Sequence, residues 1–483
     1  MDFENKNRID LLTRVKLSYI IKRQCPWRKE KMLISFSVSN YKSFDGVQTF
    51  SMEAGKARSF IDRVYIARNI KLLKFMAVYG ANASGKTNLV SAFEFARQTI
   101  VSKLPAEAKE CYCRISANNK EMPSLFEFVI EISDVRYKYG FVVNLNSSSF
   151  QAEWLRELSY GDKYKTIFER NVCDGTFTVD TYFRDAELNR RLKMYAEDIS
   201  TDDSALFLTV MNQSKGSLYE SSHAMKIYKD IFLWFKYRFS VNSPDKPVTN
   251  FSFINDCVEV IGEMLSMFGT GVSQVHLVEV SVDKVFSNVP KELMKDVSDH
   301  LLELKKRFSD KKESFTPTLM LRNTDNDMFI LELSDEDQII AKTLEFNHSN
   351  TDAVFTLSEE SDGTVRLLDL IEILITAERD QVYIIDEINR RFHPLLTYRF
   401  VEKYLELAEK RHMQLIVTTH ESKILDFDLL RKDEINFVNK DEYGKSEIYS
   451  LERFGERFDK KICAAYLKGD YGAIPTFNRN ASK

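Results

Sequence analysis

LLKFMAVYGANASGKT, residues 72–87, decides how this chain is read. LLKFMAVY (72–79) has the length and apolar content of a buried strand, and NLVSAFEFARQTIV (88–101) places Leu89, Phe93 and Ile100 on one side of a helix. Between them stands Gly80-x-x-x-x-Gly85-Lys86-Thr87, in the strand-turn-helix setting that a phosphate-binding loop requires. The two glycines let backbone N–H groups wrap phosphate oxygens, and the helix N-terminus adds a positive end. Lys86 neutralises β/γ charge and the Thr87 hydroxyl reaches Mg²⁺. The expectation is nucleotide binding through Gly80, Asn82, Ser84, Gly85, Lys86, Thr87 and Asn88.

Three further stretches take their meaning from this loop. VYIIDE (382–387) is an apolar strand ending in two acids, with Asp386 placed to hold Mg²⁺ through water and Glu387 to polarise an attacking water. LSEESDGT (357–364) precedes the helical pattern VRLLDLIEIL, and VTTHE (417–421) ends a strand. Taken singly, each has an ordinary structural explanation: acids at a strand end meet solvent, a serine caps a helix, a histidine sits at the surface. Their order is what matters. Phosphate loop, Ser/Gly turn with helix, Asp-Glu strand and His strand is the succession of an ABC-type ATPase head, as distinct from Ras-like or kinase-like phosphate-loop proteins.

The rest of the chain is compatible with such a head. With 483 residues, two or three domains are expected. A 44% hydrophobic share that includes 35 Phe and 21 Tyr supplies a real core and excludes wholesale disorder. The formal net charge of −4 argues against a dedicated polyelectrolyte partner of nucleic acid, while leaving room for a local basic groove. Six scattered cysteines, Cys25, Cys111, Cys113, Cys173, Cys257 and Cys463, write neither a disulfide framework nor a paired zinc knuckle, which fits a reducing compartment. No apolar run reaches the roughly 18 to 20 residues needed to cross a bilayer, so no membrane partner is expected and the localisation is read as cytoplasmic.

Along the chain, residues 1–31 read as a basic leader, an upstream extension that adds little to the fold. Residues 32–180 hold the first strands, the loop and the strand pair SLFEFVIEI and RYKYGFVVNL; FQAEWLREL (150–158) either continues the sheet or begins a helix. Residues 181–315 carry repeated helical spacing, as in AELNRRLKMYAED, HAMKIYKDIFLWFKYRF and KELMKDVSDHLLELKKRF, and read as a helical insertion without heptads sustained enough for a long coiled coil. In residues 316–483 strands first return with TLMLRN and MFILEL, and the final third of the chain then alternates helix and strand, the order of a largely parallel sheet covered by helices. The expected fold class is α/β: an ABC-type head with a mostly parallel sheet, an N-terminal antiparallel part and a helical insertion.

From Met32 onward the chain resembles the AAA15/AAA21-type ATPases, a branch of the ABC ATPase superfamily near the SMC, Rad50, RecF and OLD proteins. The resemblance is carried by SFSVSNYKSF (35–44), GANASGKT, SDGTVRLLDL (361–370), IIDEINRRFHP (384–394), IVTTHE (416–421), LLRKDEINFVNKDEYGKSEIYSL (429–451) and YLKGDYGAIP (466–475). It implies ATP and Mg²⁺ as ligands, Lys86 and Thr87 on phosphate and metal, Asp386 as the second Mg²⁺ residue, Glu387 as general base and His420 as γ-phosphate sensor. It implies that Ser361 and Gly363 act in trans, covering the γ-phosphate bound to a second subunit, so that a homodimer or higher homo-oligomer is part of the mechanism.

Asp362 departs from the ABC pattern, which has glycine there, and a carboxylate near phosphate is repulsive unless turned away or neutralised. Gln151 and Glu153 are candidates for the Q-loop, with a sheet-edge role as the alternative. Asn389-Arg390-Arg391-Phe392-His393-Pro394 resembles the D-loop region. Members of this branch typically occur in bacterial anti-phage or abortive-infection systems, which implies a sensor or scaffold controlling a separate effector, a nuclease or toxin. The alternative is a RecF- or Rad50-like repair ATPase that binds DNA, with Lys305, Lys306, Arg307, Lys311 and Lys312 as a basic run for nucleic acid or simply an exposed helix end.

Overall fold

The strand Phe75–Tyr79 lies inside a six-stranded sheet, buried at all five positions. A strand covered on both faces needs no polar alternation, and this one reads as a continuous apolar run. In the computed structural model, residues 31–475 are described apart from 68–69, 160–162, 181–185, 214–224, 244–253, 286–290, 309–317, 323–326, 335, 376–379 and 456–460. The basic leader read at 1–31 lies outside the described residues except for Lys31, which opens the strand Lys31–Ser39.

The described residues form two compact units, one drawn from those within 31–244, 377–390 and 400–475, the other from those within 245–376 and 391–399. The first holds the six-stranded sheet in the order Phe239–Asn242, Gln381–Ile385, Met413–Thr418, Phe75–Tyr79, Ile435–Lys440 and Ser446–Ser450. Neighbours pair in parallel up to Ile435–Lys440, and Ser446–Ser450 closes the edge as an antiparallel hairpin partner. The strand Met413–Thr418 thus lies between the strand entering the glycine loop and the strand ending in the two acids. Parallel strands present their carboxyl ends together, so Gly80, Asp386 and His420 emerge at one end of the sheet.

A mostly parallel sheet describes only this part. The largest sheet has seven strands, all antiparallel, ordered Thr176–Val179, Tyr164–Asn171, Ser149–Leu158, Val135–Asn144, Ser124–Ile132, Lys31–Ser39 and Gln48–Ser51. Its cause is local. Ile132 pairs with Val135 across a two-residue turn in which Ser133 and Asp134 both have positive φ, the backbone twist that suits a tight hairpin. Alternation fixes its register: Phe126, Phe128 and Ile130 face the core while Leu125, Glu127 and Val129 face away. FQAEWLREL belongs to the strand Ser149–Leu158 and continues this sheet.

The helix Lys86–Val101 packs between the two sheets. Phe93 stacks on Phe36 at 4.2 Å between ring centroids, meets Phe128 at 6.3 Å, and meets Phe239 of the parallel sheet at 5.9 Å. The stretch expected to be helical from 181 to 315 does carry the helices Ala186–Ile199, Lys226–Tyr237, Ile254–Met267 and Lys291–Phe308. It also supplies two strands, Phe239–Asn242 to the parallel sheet and Val272–Val280 to the second unit. That unit is a five-stranded antiparallel sheet of Val272–Val280, Ile339–His348, Met328–Leu333, Thr318–Arg322 and Val354–Thr356, with the helix Asp362–Leu370 following. Among the described residues no helix is long and apolar enough to cross a membrane.

Candidate functional site

Gly85 caps the helix Lys86–Val101 with φ of 116°, a conformation that side chains rarely adopt. A Cβ there would sit 2.3 Å from Ser446 Oγ, and one on Gly80 would sit 2.4 Å from Val438 O. Both glycines are therefore required by conformation or by close approach. Under the loop, Ser446 Oγ lies 2.6 Å from the carbonyl of Ser84 and 2.7 Å from Ser43 Oγ, which in turn accepts from Asn88 Nδ2 at 2.7 Å. This small polar buttress holds the loop from below.

Lys86 is buried, and its ammonium donates to the carbonyls of Gly80 at 2.8 Å and Ala81 at 3.0 Å. Burial lowers its pKa to about 8, against the attraction of Asp386 and Glu387. Thr87 and Asn82 are exposed, while Ser84 is buried.

Asp386 is buried at the end of the strand Gln381–Ile385, its amide donating to the carbonyl of Asn242 at 3.1 Å and its carboxylate accepting from Thr418 Oγ1 at 2.5 Å. Glu387 is half-buried, with φ of 49°, and Arg390 Nη1 stands 3.9 Å from Glu387 Oε2. His420 is exposed just beyond the strand Met413–Thr418, and its amide donates to Asn389 Oδ1 at 3.3 Å. The same oxygen accepts from Thr419 Oγ1 at 2.9 Å, so Asn389 ties the turn after the acids to the histidine loop. Desolvation lowers the His420 pKa, the positive charge of Lys86 lowers it further, and Asp386 opposes both. The ring is therefore mainly neutral at pH 7. Tyr79, the residue before Gly80, donates its hydroxyl to the carbonyl of Glu421 at 3.1 Å, a second tie between the loop strand and the histidine loop.

One unit thus gathers Gly80, Asn82, Ser84, Gly85, Lys86, Thr87, Asn88, Asp386, Glu387 and His420. Ser361 and Gly363 belong to the other unit. There Ser361 caps the helix Asp362–Leu370, its Oγ accepting from the Thr364 amide at 3.1 Å. A Cβ on Gly363 would approach Arg391 O at 3.3 Å, and Arg391 Nη1 lies 3.6 Å from Asp362 Oδ1. Asp362 is accordingly paired.

Of the Q-loop candidates, Glu153 is fully buried. It accepts from the amides of Phe207 at 2.6 Å and Leu208 at 3.0 Å and from Tyr139 OH at 3.0 Å, with Arg170 Nη2 at 3.4 Å. That is core architecture with no access for a nucleotide. In the basic run, Lys305 Nζ pairs with Asp337 Oδ1 at 2.6 Å, and Lys311 and Lys312 lie outside the described residues.

Sequence reading did not assign roles to Ser43, Ser446, Thr418 or Asn389. Their only sequence signal is a position inside, or next to, a motif recognised for other residues.

Residues 75–426 match the AAA_21 family, described as "AAA domain, putative AbiEii toxin, Type IV TA system". The chain is also similar to solved SMC heads. One is the SMC head domain from Thermotoga maritima, at 12% identity and a TM-score of 0.33, covering 86% of this chain and 98% of that one. Another is an Smc head domain with an extended coiled coil bound to the C-terminal domain of ScpA, derived from Pyrococcus furiosus, at 14% identity and a TM-score of 0.35, covering 88% and 98%. A third is an SmcHead bound to the C-winged helix domain of ScpA, at 13% identity and a TM-score of 0.34, covering 88% and 99%. No curated protein matches the chain. The family match spans well over half of the sequence, and the chain belongs to the AAA_21 family.

Proposed function

We propose that this AAA_21 member hydrolyses ATP to ADP and phosphate, and that two copies close on ATP so that each completes the other's site. The observation that carries the reading is the convergence of buried Lys86, the acid pair Asp386 and Glu387, and His420 at one end of the parallel sheet, close enough for the charges of the two acids to act on Lys86 and those of Lys86 and Asp386 to act on His420. Lys86 exchanges its two carbonyl partners for β/γ-phosphate oxygens, and the loop amides take the remaining phosphate charge. Thr87, exposed at the helix head, and buried Asp386 are the residues that would hold Mg²⁺, which shields phosphate charge when bound. Glu387 takes the proton of the attacking water, and neutral His420 donates a hydrogen bond to the γ-phosphate. Ser361 and Gly363 of one copy cover the γ-phosphate of the other with a helix N-terminus.

The biological role we propose is a sensor or scaffold of an anti-phage defence system that restrains or releases a separate effector through this closure. The wording of the family description, which names a toxin and a toxin–antitoxin system, supports that context. The paired variants Lys86→Ala and Glu387→Gln test the chemistry: the first loses ATP binding, while the second binds ATP and fails to turn it over. Normal turnover by Glu387→Gln removes the assignment of the base.

A further inference from the structure

Thr418 closes a strand whose other five residues, Met413 to Val417, are buried, and it is itself buried. A hydroxyl at such a position must find partners within the protein. It finds two in the turn after the neighbouring strand: Thr418 Oγ1 donates to Asp386 Oδ1 at 2.5 Å and accepts from the Glu387 amide at 2.8 Å. A hydroxyl has one proton and two lone pairs, so donating to the carboxylate still leaves it free to accept the amide. The carbonyl of Thr418 accepts from the Ile388 amide at 3.1 Å, so one residue grips three consecutive residues of the turn.

Glu387, in the middle of that grip, has φ of 49°. A residue with a bulky side chain is uncommon in this left-handed region, and here the bonds from Thr418 hold the backbone there. We propose that Thr418 is a positioning residue for hydrolysis, its hydroxyl fixing the Asp386 carboxylate and the Glu387 backbone so that the Glu387 side chain faces the attacking water. The inference rests on the reading of Glu387 as the base. Serine keeps both hydrogen bonds, whereas valine keeps the shape and loses both.

The test compares Thr418→Ser, Thr418→Val, Thr418→Ala and Glu387→Gln in the full chain by steady-state ATP hydrolysis, binding of a fluorescent ATP analogue and thermal melting. Thr418→Val is expected to lower kcat by about 10- to 100-fold with KM and analogue binding within about threefold, and Thr418→Ser to stay within about threefold of wild type in kcat. If the valine variant does not fold, the alanine-to-serine contrast is read in the same way. Wild-type kcat in the valine or alanine variant overturns the inference, as does a serine variant as slow as either, or a loss confined to ATP binding. Glu387→Gln separates the two claims: if it is inactive while Thr418→Val is fully active, only the positioning role falls. If Glu387→Gln turns over normally, the base assignment falls and the positioning role falls with it.

Discussion

Arg391 Nη1 stands 3.6 Å from Asp362 Oδ1 at the head of the helix Asp362–Leu370. The acid stands where the resemblance to ABC ATPases implies a glycine, and the arginine comes from the loop that follows the acid pair. Asp362 is 73% exposed and Arg391 38%, so the pair adds little to the stability of the fold. Its consequence is electrostatic, because it removes a negative charge from the surface proposed to meet a phosphate. Arg391→Ala should slow ATP turnover by about 5- to 10-fold, roughly what one unscreened charge near a phosphate brings, with melting unchanged. Adding Asp362→Asn should restore most of the rate, as steady-state assays of the single and double variants will show. Equal rates in Arg391→Ala and wild type remove the pair from the mechanism.

Lys86 makes ATP affinity depend on pH. Its pKa is lowered to about 8 by burial, so the ammonium that phosphate needs is present below that pH and lost above it. Affinity should therefore hold from pH 7 to 7.5 and fall as pH rises through 8, approaching about tenfold per unit for one proton. Titration of the protein with ATP between pH 7 and 9.5 checks this. Lys86→Ala should bind weakly at every pH, with the alkaline fall abolished.

Gly85→Ala should disable the loop. Its φ of 116° and the 2.3 Å approach of Ser446 Oγ leave no place for a methyl group. We expect a loss of about 1–3 kcal/mol in stability, together with about tenfold or more in ATP affinity. Gly46→Ala, where a Cβ would meet nothing within 4 Å, is the control and should stay within about 0.5 kcal/mol. Calorimetry of the two variants compares both quantities.

Glu153→Ala should destabilise the antiparallel half without touching the chemistry directly. The substitution takes the Glu153 carboxylate away from fully buried Arg170, whose guanidinium keeps the carbonyls of Ile199, Asp202 and Ala205, and frees the amides of Phe207 and Leu208. Breaking one side of such a pair typically costs about 3–5 kcal/mol. Urea denaturation should show a loss of that size; a change below about 1 kcal/mol contradicts the core assignment.

The loop and the acid pair were legible because their chemistry is local. Gly80 to Thr87 and Val382 to Glu387 each carry their geometry within a few residues, flanked by strand and helix patterns that any reader of periodicity finds. Ser446 and Ser43 touch across 403 positions, and Thr418 reaches Asp386 across 32, and no local spacing encodes such contacts. The sheet was half legible for a related reason. Alternating stretches such as SLFEFVIEI announced antiparallel pairing, but whether FQAEWLREL continued it was fixed only by its pairing with Val135–Asn144. Phe239–Asn242, a four-residue stretch directly following the helix Lys226–Tyr237, was too short to stand out and became a strand because Gln381–Ile385 offers it a parallel edge.

The most direct test of the account is the mass of the Glu387→Gln protein in solution, measured by light scattering during gel filtration, with Mg²⁺ and either ATP or ADP. Head closure across two copies predicts the 56.3 kDa mass of one chain with ADP and twice that with ATP, the increase being lost when Ser361→Arg is added. A mass of one chain under both nucleotides contradicts a site completed in trans.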